Sequence, residues 1–106
     1  MSAERMEMSQ AELVGRVFDL TEAISLAGQL ADWQRAAGLA EERSQLVRSI
    51  RREQDAESLQ LIGRILEMNG AIANDARTYR DELTIEYQAA VARTQAAQQY
   101  NRVALF

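Results

Sequence analysis

The chain has 106 residues, no Pro, no Cys and no His, with twelve basic residues (all Arg) against sixteen acidic ones for a net charge of −4. That composition excludes disulfides, thiol chemistry and the usual zinc or haem ligation. An acidic total also argues against a general nucleic-acid binder, which needs surplus cations to displace phosphate counterions.

The length fits one domain, here 1–106, which buries roughly two-thirds of its unfolded surface. Ala, Leu, Glu, Gln and Arg dominate, all good helix formers, so the expected class is all-α. Met1 to Met8 carries Glu4 and Glu7 and no apolar core, so no signal peptide is expected there. No run approaches the ~18 apolar residues of a spanning helix. A cytoplasmic location without membrane insertion follows as the expectation.

Ser9 and Glu12 have the spacing of a capping box, each able to satisfy an orphan N–H at a helix start. Leu13, Val14, Val17, Phe18, Thr21, Ile24, Gly28 and Ala31 then recur at steps of three and four, predicting a helix over about 10–30. Leu20, Leu26 and Leu30 widen the stripe toward a second neighbour.

Asp32 can cap the next helix, with Trp33 in its first turn. Ala36, Leu39, Ala40, Arg43, Leu46, Val47 and Ile50 mark its inward face and predict helix over 32–53. Arg43 on that face must either extend to the edge along its apolar stem or pair with a carboxylate. The cluster Arg48, Arg51, Arg52 is followed by Glu53, Asp55 and Glu57 and reads as a solvated helix end.

The third segment is the longest. Leu61, Ile65, Met68, Ile72, Ala76, Tyr79, Leu83, Tyr87, Ala90, Thr94 and Ala97 repeat at a mean of about 3.6, the α-helical period. Gly63 and Gly70 lie off this stripe. A helix over 57–99 would be ~64 Å long, whereas each of the first two would be ~30 Å. The architecture expected is an antiparallel bundle of three helices with a long third one. If the first two pair, Tyr79, Leu83, Tyr87, Ala90 and Val91 need cover from a second copy, the chain's own C-terminus or a client. The tail 100–106, with Tyr100, Val103, Leu105 and Phe106, is expected to dock rather than fray.

Nothing here builds a catalytic or cofactor site. Without His, Cys or Lys the ordinary nucleophile–base pairs are impossible, and so are the Glu-x-x-His pairs of di-iron bundles. No Gly-rich phosphate loop occurs. The pairs Glu41–Glu42 and Asp81–Glu82 are adjacent on a helix and diverge. Leu39-Ala40-Glu41-Glu42-Arg43 faintly resembles small helical chorismate mutases, whose chemistry uses a Lys that this chain lacks. No enzyme, cofactor or metal is expected.

A fuller resemblance begins at Trp33. Leu30-Ala31-Asp32-Trp33, Leu39, Glu42-Arg43 and Leu46-Val47 resemble the second helix of FliT-type flagellar secretion chaperones. Ile65-Leu66-Glu67-Met68-Asn69 and Arg80-Asp81-Glu82-Leu83 resemble their long third helix, and Ala96-Ala97-Gln98-Gln99-Tyr100 the step into their fourth. The resemblance covers about residues 10–103. It implies a cytoplasmic chaperone of flagellar type III export that binds the filament-cap protein on an apolar helix surface and contacts export-apparatus components. Tyr100 matches the position implicated in export-gate contact. With six residues after Tyr100, the fourth helix is expected to be missing or a short stub, which puts autoinhibition by that helix in doubt.

The partner-binding residues expected are therefore Tyr79, Leu83, Tyr87, Ala90, Val91 and Tyr100, with a homodimer through the third helix. The competing reading is a helical-hairpin interaction protein or dimeric adaptor of another secretion system. Secreted hairpins of this size carry Trp-x-Gly at their turn, whereas Gln34 and Arg35 follow Trp33 here.

Overall fold

A computed structural model describes residues 8–104. It is all-α, as expected, with three helices: α1 (Gln10–Gln29), α2 (Trp33–Val47) and α3 (Ala56–Ala104). The chain divides into two compact units, 1–75 and 76–106. The first holds α1, α2 and the beginning of α3; the second holds the rest of α3.

The helix starts follow from local capping. Ser9 Oγ accepts the Glu12 N–H at 3.1 Å, and Asp32 Oδ1 accepts the Arg35 N–H at 3.2 Å. Asp55 Oδ1 accepts the Ser58 N–H at 2.7 Å. The Ser58 backbone bond, then its side chain, hold the Asp55 carboxyl below its ordinary pKa. A depressed carboxylate stabilises the fold above its unfolded pKa, and the contribution fades as pH falls below about 4. Asp55→Asn keeps a capping oxygen but cannot titrate. Its thermal midpoint is expected to fall less between pH 5 and 3 than that of the parent, and equal slopes would reject this role.

The α1–α2 corner is a Schellman turn. Ala31 N–H donates to Gly28 O at 3.0 Å and Asp32 N–H to Ala27 O at 2.8 Å. The motif places Ala31 in the left-handed region, with φ 57°. An L side chain costs roughly 1–2 kcal/mol there, and glycine avoids that cost but gives part of it back as unfolded-chain entropy. Ala31→Gly is expected to raise stability by up to about 1 kcal/mol. Urea unfolding with no gain would contradict that. Trp33 folds its indole back over Gly28, where an added Cβ would come within 2.8 Å of the ring.

Two apolar clusters hold the first unit. Val14, Val17 and Ile65 form one, with Phe18, Leu46, Ile50, Leu61 and Ile62 packed around them. Ile24, Ala27 and Ala36 form the other, with Trp33, Leu39, Ala40 and Ile72. In these contacts α1 and α2 run antiparallel, and the first turns of α3 run alongside α1, from Ile65 near Val17 to Ile72 near Ile24.

The second helix ends at Val47, not at residue 53. Ser49 and Ile50 donate back to Leu46 O and Val47 O in a tight turn. The Gln10 side chain then captures the loop, donating to Ser49 O and accepting from the Arg51 N–H at 2.8 Å. Gln54 adds a 2.7 Å bond to Gln10 Oε1. Ile50 still packs on the core from this turn, which is why it kept the helical stripe in the sequence. The third helix continues through Tyr100 to Ala104, so residues 100–104 are helical rather than a separate tail. Leu105 and Phe106, like Met1 to Glu7, lie outside the described residues.

Arg43 points inward and, among the described residues, meets no carboxylate. Its Nη1 donates to Thr21 Oγ1 at 3.0 Å and to Asn69 Oδ1 at 2.7 Å, joining all three helices. Thr21 is fully buried and its hydroxyl donates to Val17 O at 2.8 Å. Burial pulls the Arg43 pKa down, but an Arg stays charged. The expectation of a carboxylate partner or an escape to the edge is therefore replaced by neutral oxygens from two neighbouring helices.

Candidate partner-binding faces on the third helix

The second unit is a single stretch of helix, and its sequence explains why it stays helical. It is rich in Ala, Gln, Glu and Arg, with no Gly or Pro between residues 76 and 104. Thr84 and Thr94 satisfy their hydroxyls by donating to Arg80 O at 2.9 Å and Ala90 O at 3.0 Å. An exposed Arg80–Asp81 pair at 3.4 Å adds little.

Every residue from Arg80 to Ala104 is exposed, and Tyr79 is half-buried. Large apolar groups are among them: Leu83 is 47% exposed and Tyr87 71%. Each large apolar side chain left uncovered forgoes roughly 1.5–3 kcal/mol. Such a face is suited to contact rather than chemistry.

At about 100° per residue, Tyr79, Leu83, Tyr87, Ala90 and Val91 fall together on one side of the helix. Tyr100 does not join them. It lies about 100° round from Leu83, in step with Ala96 and Val103. Those three continue a second stripe, Ile85, Ala89, Ala92, Ala96, Tyr100 and Val103, spaced by threes and fours on nearly the opposite side. Ile85 is 65% exposed, Tyr100 74% and Val103 75%. The stripe is faint in the sequence because three of its six members are alanines and Ile85 begins out of phase with Leu83. The signal was present as a second period in the same window. Polar residues divide the two faces, with Glu82, Glu86 and Arg93 on one flank and Gln88, Gln95 and Gln99 on the other.

The first unit has a pocket of about 270 Å³ beside Arg43, lined by Val17, Ala40, Ser44, Val47, Ile65 and Asn69. Its one charged group already bonds to Thr21 and Asn69, so it reads as a packing feature. Among the described residues no group of acidic side chains could hold a metal ion, and no helix is long and apolar enough to cross a membrane.

A family model described as flagellar protein FliT matches residues 11–102, spanning all of α2 and nearly all of α1 and α3. No curated protein and no solved structure matches.

Proposed function

The chain belongs to the FliT family of flagellar proteins, a chaperone family, and from that premise we propose that it holds the filament-cap protein in an export-competent state in the cytoplasm. The client lies along Leu83, Tyr87, Ala90 and Val91, with Tyr79 at the edge of the contact. The chain pairs with a second copy through the third helix and hands its client to components of the flagellar type III export apparatus, where Tyr100 is the contact suggested by the family.

The observation that carries this reading is the exposed apolar face of α3. A helical client segment laid along it would bury the side chains that water now meets, the helix-in-groove mode of recognition. The acidic balance of the chain argues against nucleic acid as the partner. No residue in this reading performs chemistry.

The test is co-purification and calorimetry with the cap protein, followed by its C-terminal region alone. Saturable binding in the micromolar range or tighter is expected. Absence of binding to the cap protein, with the chain folded, would overturn the assignment of client.

A further inference from the structure

Packing accounts for the pocket beside Arg43, but not for the charge on its wall. A guanidinium carries five N–H groups, and the two on Nη1 are taken by Thr21 Oγ1 and Asn69 Oδ1. Among the described residues Nε and Nη2 meet no acceptor, and neither is sealed from solvent. The edge left over is the one whose two parallel N–H groups a carboxylate accepts side by side.

The neighbouring acids are turned elsewhere. Glu41 and Glu42 are exposed, and Glu42 pairs with Arg16 at 3.1 Å. Thr21 and Asn69 hold the guanidinium in place but are neutral, so a half-buried positive charge stands without an opposite one. Such a charge gains from a carboxylate more than from neutral oxygens.

The other walls describe what carries that carboxylate. Val17, Ala40, Val47 and Ile65 are apolar, and the pocket measures about 270 Å³. A hydrated ion such as phosphate gains nothing from aliphatic walls, whereas the methylenes of a side chain do. Ser44 is exposed and Val47 is 45% exposed, which leaves the mouth open along α2. One ion pair at a partly wetted site is worth little alone, so the carboxylate arrives as part of a larger molecule.

We propose that the Arg43 pocket takes a glutamate side chain from a segment of a partner protein. Its methylenes lie against Val17, Ala40 and Ile65, and its carboxylate accepts from the Nε–Nη2 edge. This goes beyond the client reading above, because every residue of the pocket lies in the first unit and none belongs to the Leu83–Val91 face.

The test is an NMR titration of the full chain with a blocked, alanine-rich peptide carrying one glutamate, beside its glutamine twin. Methyl signals of Val17, Ala40, Val47 and Ile65 are expected to shift saturably, with the glutamine peptide at least about tenfold weaker. Asn69→Asp, an isosteric change, sets a carboxylate at the 2.7 Å position and compensates the charge from within. It should keep the fold by circular dichroism, raise the thermal midpoint and weaken the glutamate peptide about tenfold. Arg43→Gln should weaken the peptide as much, and Asn69→Asp decides if that variant fails to fold. Equal shifts from both peptides, no shifts, or an unchanged affinity in Asn69→Asp would overturn the site. So would tighter binding of inorganic phosphate, or of a peptide whose only carboxylate is its C-terminus. A site that fails while the cap protein still binds leaves the chaperone reading standing; a site that holds without cap-protein binding sinks that reading alone.

Discussion

Leu83→Asp combined with Tyr87→Asp is expected to weaken cap-protein binding by about a thousandfold while leaving the melting of the chain almost unchanged. Both side chains stand in water before any partner arrives, at 47% and 71% exposure, so their loss opens no cavity. Asp is a poorer helix former than Leu or Tyr, but by only a few tenths of a kcal/mol at an exposed position. In a complex the same positions would be desolvated anchors, worth roughly 2 kcal/mol each, and a carboxylate there would also have to shed its water. Two such losses amount to about 4 kcal/mol, or three orders of magnitude in affinity. Calorimetry with the parent and the double variant reads this directly. An affinity within threefold of the parent would move the client to another surface.

The separation of the two stripes on α3 shows what a period can and cannot reveal. Leu83, Tyr87 and Ala90 were legible because they continue the stripe that begins at Leu61, and one long repeat is easily followed. The opposite stripe was harder to see. Its alanines count toward helix propensity in any reading of composition, and they become contact residues only when a second helix needs to come close. Tyr100 enters through family likeness as an export-gate contact, and its phase puts it with the second stripe. The three helix starts were written in single residues, Ser9, Asp32 and Asp55, because a cap is a local bond between a side chain and an N–H nearby. The end of α2 was not local. It depends on Gln10, some forty residues earlier, reaching the loop at Ser49 and Arg51, and no window of the sequence contains both. Arg43 has the same character. Its place on the inward face was visible, but Asn69 as its acceptor depends on how α3 is set against α2, which spacing along one helix does not determine. The family likeness, drawn from residues 10–103, agrees with the match over 11–102. All-α class and family were thus readable from residue types and periods, while the bonds between distant segments were not.

The first unit has an uneven core, and Ile65→Ala is expected to expose it. Among the described residues the buried apolar side chains are Leu13, Val14, Val17, Leu20, Ile24 and Ala27 from α1, Ala36 from α2 and Ile65 from α3. The first helix is therefore the spine, and the third contributes one fully inserted aliphatic group, 7% exposed, against Val14 and Val17. Leu61, Ile62 and Ile72 flank it but are only partly covered. Truncating a buried Ile removes its transfer energy and leaves a void that neighbours fill only in part, at a cost of about 2–4 kcal/mol. The pocket beside Arg43 already borders Ile65, so collapse around the truncated side chain would have to draw in groups held by the Arg43–Asn69 bond, which resists it. Against a total stability of roughly 5–15 kcal/mol this is a large fraction, equivalent to some 10–20 °C in the thermal midpoint of a domain this size. Urea unfolding followed by circular dichroism measures it. A loss under about 1 kcal/mol would mean that α3 is anchored through the polar junction of Thr21, Arg43 and Asn69 rather than through apolar contact. Ile65 belongs to the first unit and Leu83 to the second, so client capture should persist below the lowered midpoint.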